Sequence, residues 1–103
     1  MIPTDRHDNQ HSSFDEESFR EALAEFGGTD AERRVVARQA RDLADSGQAE
    51  ADRGAALTSD EIIRNLRDAP EGSPATRWNW WLGALEAAYG NYREFQVRRI
   101  PKA

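Results

Sequence analysis

The residue types best suited to chemistry in this sequence occur near the end of its most aromatic stretch. Glu86 and Arg93 lie seven residues apart, so a helix of about 100° per residue would place them on one face. Gly83 and Gly90 fall on the same face, and a glycine lets another backbone or a ligand approach closely because it has no Cβ. A carboxylate and a guanidinium beside such gaps could bind a small ligand or support acid–base catalysis through Glu86. These four residues form the candidate ligand face.

Other catalytic and metal-binding signatures are missing from the sequence. It has no cysteine, no glycine-rich phosphate loop, and neither the HExxH nor the GxSxG pattern. His7 and His11 have a spacing that could bind a metal on a helix, but no third ligand is fixed nearby. We therefore expect a protein that is not an enzyme and that carries no metal or cofactor.

The run RWNWW at residues 77–81 allows two interpretations. Exposed tryptophans beside an arginine could stack on nucleic-acid bases or surround a cation. Helical phase instead points Trp78 and Trp81 inward and leaves Trp80 on the flank, in the core or in an interface. We favour the second interpretation, since interfaces are enriched in tryptophan.

Residues 76–97 must organise the core, because they hold all three tryptophans and both tyrosines. Read as one helix, the segment has an apolar arc about 200° wide, which is more than a single packing stripe needs. We therefore expect a long C-terminal helix that is covered on two sides. An alternative stays open, in which Gly90 and Asn91 end the helix in a left-handed cap and a short extended segment follows from Tyr92.

Start signals predict three helices before this one. Each start pairs a hydroxyl residue with a glutamate three positions later, as in a capping box; the pairs are Ser13 with Glu16, Thr29 with Glu32, and Thr58 with Glu61. The last helix should begin at Ser73 and Pro74. Stop signals follow at Gly27-Gly28, Ser46-Gly47 (with an imperfect continuation to Gly54) and Ala69-Pro70. The prediction is an all-α four-helix domain over residues 13–103, after a mobile polar tail at 1–12.

The length, net charge and apolar content of the chain limit the kinds of partner that the protein can bind. The chain has 103 residues, which suits one domain, and a net charge of −5 that repels nucleic acid and anionic membranes. No apolar run is long enough to span a membrane or to serve as a signal peptide, so we expect a cytoplasmic protein. Arg34, Arg38 and Arg41 could contact phosphate from one helix face, but acids on the same helix neutralise them and favour a solvated surface.

The predicted interaction surface is the side of the last helix that the other helices cannot cover. The other three helices have enough large apolar side chains to cover one packing stripe of the last helix but too few to cover a second. Trp80, Ala84 and Phe95 should then remain exposed as an apolar patch, and two copies related by a two-fold axis could bury it. We expect a small protein that acts through helix-mediated contacts, as a homodimer and with room for one heterologous protein partner.

Two alternatives to self-association remain at this point. The run ADRGAALTSDEIIRNLRDA at residues 51–69 resembles the acidic helix-turn-helix stretches of small bacterial and archaeal antitoxins. That resemblance implies a regulator that binds a protein partner, with or without DNA, although the ribbon-helix-helix strand of that family is missing from the N-terminus. The other alternative is a small-ligand protein or an enzyme that uses Glu86 and Arg93.

Overall fold

The computed structural model describes residues 14–98, which are helical with no strand among them. The all-α prediction is confirmed. The tail at 1–12, with His7 and His11, lies outside the described residues. Five α-helices occur in the described part, and a 3₁₀ turn follows the first and the last: α1 Glu16–Ala22 with Leu23–Phe26, α2 Asp30–Ser46, α3 Gln48–Arg53, α4 Ser59–Arg67, and α5 Pro74–Tyr89 with Arg93–Phe95.

The first helix begins at a different cap from the one predicted. Asp15 is the N-cap of α1, and its Oδ1 accepts hydrogen bonds from the backbone N–H groups of Glu17 (3.1 Å) and Ser18 (3.2 Å). Ser13, the predicted cap, lies outside the described residues. Aspartate caps a helix as well as serine does and adds a charge that the helix dipole favours.

The next caps are where the sequence places them. The Oγ1 atoms of Thr29 and Thr58 accept from the backbone N–H groups of Glu32 (3.0 Å) and Glu61 (3.2 Å). The two glutamate carboxylates bind elsewhere: Glu61 pairs with Arg53, and Glu32 reaches the start of α5. The threonine half of each predicted capping box thus starts its helix, while the glutamates tie separate elements together instead of closing the boxes.

The fifth helix comes from the segment predicted as an imperfect continuation of the second. Gly47 adopts a left-handed conformation (φ 74°, ψ 0°) and ends α2. The backbone then becomes helical again, and α3 runs from Gln48 to Arg53 before Gly54 stops it at φ 82°. A single left-handed residue is enough to change the direction of a helix axis. Over the described residues, the predicted four-helix arrangement is therefore a five-helix one.

The core lies between α5 and three other helices, which are α1, α2 and α4. α5 packs against α2 and α4, and α1 closes the other side of that pair. Trp78 is fully buried and meets the ring of Trp81 edge-on, with centroids 5.6 Å apart. Fully buried side chains surround this pair: Phe19, Leu23, Val36, Leu43, Ile62, Leu66 and Leu82.

Glu32 is the one buried charged residue in the part of the chain that the structure describes. Its Oε2 accepts a hydrogen bond of 2.9 Å from the backbone N–H of Ala75, the second residue of α5. The cap residue Ser73 makes no side-chain cap bond there, and Pro74 has no N–H. Glu32 therefore satisfies a buried donor and places negative charge at the positive end of the helix dipole.

The close approach at this point explains one glycine. Gly28 has φ 78°, and a Cβ on it would come within 2.8 Å of both Glu32 Oε1 and Pro74 Cδ. Any larger residue would push the carboxylate or the proline away. The pair Gly27-Gly28 thus does more than end α1, because its second member makes room for the contact between α2 and α5.

Replacing Glu32 tests how much its hydrogen bond to Ala75 contributes to the stability of the fold. We expect Glu32→Ala to lower the free energy of unfolding by about 2 kcal/mol, since it leaves a buried N–H without its charged acceptor. Glu32→Gln, which keeps an acceptor oxygen, should lose less. Urea denaturation measures both, and Glu21→Ala, at an exposed site on α1, is the matched control. Equal losses for Glu32→Ala and Glu21→Ala would show that the bond contributes nothing.

Candidate functional site

The outward side of α5 presents a face without charge. Thr76, Trp80, Gly83, Ala84 and Ala87 are all exposed and lie within about 100° of arc on the helix; we call this set the Trp80 face. Trp80 itself is 42% exposed. On a chain in which 32% of residues are charged, an exposed helix face that carries no charge is unusual. Trp80 is the one large apolar side chain of this face, because Tyr89, the other exposed large hydrophobic residue among residues 14–98, lies on another side of α5. The rest of the face is small and uncharged, so that it forms a continuous surface of a kind that can mark an interaction site.

Arg77, which borders the Trp80 face, is directed away from it. Its guanidinium donates to the backbone carbonyls of Gly72 (2.7 Å) and Leu66 (3.1 Å), beyond the end of α4 and within it. The same group lies over the ring of Phe26, 4.8 Å from the centroid. These bonds cap the C-terminal end of α4 and hold the charged guanidinium away from the Trp80 face.

Among residues 14–98, Gly83 has no packing role. It lies in the middle of α5, and a Cβ placed on it would meet no described atom within 4 Å. A glycine at such a position costs the helix roughly 0.5–1 kcal/mol relative to alanine. The described part of the fold offers no compensation for this residue, whereas close approach of a second helix would.

Phe95, the third residue of the predicted interface, belongs to the core. The helix ends at Tyr89, Gly90 caps it, and Asn91 takes a left-handed conformation with φ 69°. The chain then turns back, so that Phe95 packs inward in a 3₁₀ turn and is only 6% exposed. The prediction that Phe95 shares a face with Trp80 and Ala84 is wrong, because it assumed that the helix passes through Gly90. The alternative, in which the helix ends at Gly90 and Asn91, agrees with the structure, but a 3₁₀ turn at Arg93–Phe95 takes the place of the extended segment that it put from Tyr92 onward.

Residues 92–98, the return segment, are held against α5 by side chains of the tryptophan run. Trp78 Nε1 donates to the carbonyl of Phe95 at 2.8 Å. Asn79 makes two bonds to Val97, donating from Nδ2 to its carbonyl (2.9 Å) and accepting at Oδ1 from its N–H (2.8 Å). From α2, Gln39 donates to the carbonyl of Gln96 at 3.1 Å. Trp78 and Asn79 thus hold the return segment against α5. The sequence did not predict this role, because it depends on how distant residues come together in the tertiary fold.

The candidate ligand face is only partly assembled. Glu86 and Arg93 do come together, with Arg93 Nε 3.9 Å from Glu86 Oε2, at the edge of an open cavity of about 420 Å³. Gly83 does not line that cavity, and Gly90 caps the helix. Glu86 Oε1 accepts from the backbone N–H of Tyr92 at 2.7 Å, so this carboxylate stabilises the turn into the return segment. A site this open to water is poorly suited to catalysis.

Tyr92 anchors the other side of the same turn. Its side chain is fully buried, and its hydroxyl donates to Asp52 Oδ2 of α3 at 2.9 Å. Burial and the hydrogen bond to Asp52 raise the pKa of Tyr92 from 10.0 to about 12. The sequence predicted that residues 76–97 organise the core, but it could not predict that Tyr92 has a partner on the short third helix.

The raised pKa gives a pH-dependent prediction. Between pH 10 and 12 the native state keeps the Tyr92 proton while the unfolded chain releases it, so the free energy of unfolding should fall as the pH rises through this range. Tyr92→Phe cannot titrate and should lose less stability over the same interval. Urea midpoints at a series of pH values measure the difference. Parallel curves for the two proteins would rule out a proton held by this contact.

Two of the three arginines in the predicted basic stripe of α2 pair with acids. Arg34 pairs with Asp30 at 2.6 Å, and Arg41 pairs with Glu16 of α1 at 3.1 Å. These contacts support the solvated-surface interpretation over phosphate binding. Within residues 14–98, no group of three or more histidine, cysteine, aspartate or glutamate side chains is arranged to hold a metal ion. None of the helices in that span is both long and apolar enough to cross a bilayer.

A protein-family model described as the WNWW domain matches residues 1–86. The chain belongs to the WNWW-domain family. The four letters of that description occur in this sequence at residues 78–81, in the first half of α5. No curated protein and no solved structure matches the chain.

The WNWW run of this chain divides into inward and outward residues. Trp78 and Trp81 are buried together in the core, and Asn79 is committed to Val97. Trp80 is the remaining member, and it points to solvent at the centre of the uncharged face. The fold therefore accounts for three residues of the run and leaves Trp80 as the candidate for an external contact.

Proposed function

We propose that this WNWW-domain protein is a non-enzymatic interaction module that associates with itself through the Trp80 face. The observation that carries the proposal is an exposed helix face with no charge, centred on Trp80. Burying it against a second copy removes apolar area from water and leaves no ionised group without solvent. A cytoplasmic location fits a chain that has no cysteine and so forms no disulfide.

The size of the face predicts a weak and reversible association. A helix of 16 residues is about 24 Å long, and a contact strip about 10 Å wide then covers roughly 240 Å². A standard stable interface buries about 800 Å² on each partner. Neighbouring residues must add to the contact, and even then we expect dissociation constants in the micromolar range or weaker.

The alternatives have less support from the described residues. In the run that resembles antitoxins, the large apolar side chains Leu57, Ile62, Ile63 and Leu66 are buried in the core of this chain. They are therefore not free to wrap a toxin. For a small-ligand protein or an enzyme, Glu86 would have to give up its hydrogen bond to Tyr92. Self-association through Trp80 requires neither change.

Two tryptophan substitutions should have opposite consequences. Trp80→Ala should weaken association by about 2 kcal/mol, roughly 30-fold in Kd, while changing the free energy of unfolding by no more than about 1 kcal/mol. Trp78→Ala, which empties a core position, should cost about 3–5 kcal/mol of stability. Sedimentation equilibrium measures the first effect and urea denaturation the second. A wild-type chain that stays monomeric at the highest soluble concentration would contradict the proposal.

Salt should strengthen the association. Each copy carries a net charge of −5, so two copies repel, and the contact face itself contributes no ion pair. Raising the ionic strength from about 0.01 M to about 1 M shortens the Debye length from roughly 30 Å to 3 Å and screens this repulsion. Sedimentation at the two salt concentrations should show a tighter complex at the higher one. Weaker association in high salt would indicate an interface built on ion pairs instead.

A further inference from the structure

Along α5, the Trp80 face has one large side chain, that of Trp80, and only small side chains after it. Trp80 lies one turn before Gly83 and Ala84, and Ala87 lies one turn after them. Reversing the helix about the midpoint between Gly83 and Ala84 exchanges position 80 with position 87. The largest side chain of the face then falls on the small residue at the opposite end. The face is therefore complementary in size to its own reverse.

A parallel arrangement lacks this complementarity. Two copies related by an axis along the helices would place Trp80 on Trp80 and Ala87 on Ala87. The two indoles would hold the helices apart, and the small residues beyond them would not touch, which leaves a void. Protein interiors and interfaces pack to crystal-like density, and unfilled gaps lose dispersion contacts.

Gly83 and Ala84 suit the point where two antiparallel helices cross. Helix axes approach to about 8 Å only when the residues at the contact are small. Gly83 has open space before it, and Ala84 is exposed beside it. A second copy also brings an uncharged face by construction, so that no ionised side chain is desolvated when the two faces meet.

We propose that two copies pack antiparallel through α5, about a two-fold axis between Gly83 and Ala84, with each Trp80 seated on Ala87 of the second copy. This inference rests on the proposed self-association through the Trp80 face and specifies its geometry. The partner on this face is a second copy of the chain, because one surface carries both the large side chain, Trp80, and the small residue on which it can pack, Ala87. The helix dipoles then run in opposite directions, which is the favourable alignment.

Single cysteines test the direction of packing, because the chain has none of its own. Ala84→Cys lies beside the proposed axis, where its thiol would face the same thiol of the second copy. Thr76→Cys lies on the same face, but the two copies of position 76 would be about 22 Å apart along the helices. A disulfide needs Cα atoms within about 7 Å. Glu50→Cys, at an exposed site on α3, measures random collision.

The expected result under mild oxidation is a disulfide dimer of Ala84→Cys that forms at least tenfold faster than that of Thr76→Cys or Glu50→Cys. Equal or faster cross-linking of Thr76→Cys overturns the antiparallel arrangement. Failure of Ala84→Cys to cross-link overturns it too, if sedimentation shows that its reduced form is a dimer. A reduced wild-type protein that is monomeric throughout refutes the proposed self-association itself, and the geometry with it.

Gly83→Leu gives a second measurement that needs no cross-link. Open space before Gly83 accommodates the side chain, and leucine favours a helix more than glycine does, so the melting temperature of the monomer should not fall. Between two crossing helices the same side chain blocks close approach, so Kd should rise at least tenfold. Gly83→Ala is the matched control and should change Kd much less. Unchanged association of Gly83→Leu would place the crossing point elsewhere.

Discussion

The structure depends on a buried carboxylate that joins the second helix to the start of the last one. Glu32 accepts from the N–H of Ala75 at a helix end where no other side chain caps the backbone. Thr29 holds the first turn that carries Glu32, and Gly28 leaves the space that the contact needs. Because both helix starts are fixed at one point, the tryptophan run that follows enters the core at a defined rotation. This contact fixes the start of α5, and the burial of Trp78, Trp81 and Leu82 fixes which side of the helix faces the core.

The rotation of α5 separates core positions from surface positions residue by residue. A change at Trp78 or Asn79 acts on the core or on the return segment, and so on the whole fold. A change at Trp80 or Gly83 acts on a surface that residues 14–98 leave open. Neighbouring positions in one short run can therefore vary with independent consequences, since successive residues of a helix point in directions about 100° apart.

The sequence predicted the helices from residues that lie close together in the chain. It could not predict contacts between residues that lie far apart in the chain. The caps at Thr29 and Thr58 and the start at Pro74 follow from residues within one turn of each other, so their types and spacing suffice. The role of Glu32 could not be predicted, because its partner lies 43 residues away. Phe95 was misplaced because Gly90 permits both a continuing helix and a turn, and burial against Trp78 selects the turn.

The hydrogen bonds between α5 and the return segment bear on where the domain ends. The family model stops at residue 86, whereas Trp78 and Asn79 take their partners from Phe95 and Val97. A fragment cut at the limit of the match would expose the indole N–H, the amide and the apolar surface that the return segment covers. The packed helical structure therefore continues past the matched stretch, at least as far as Val97.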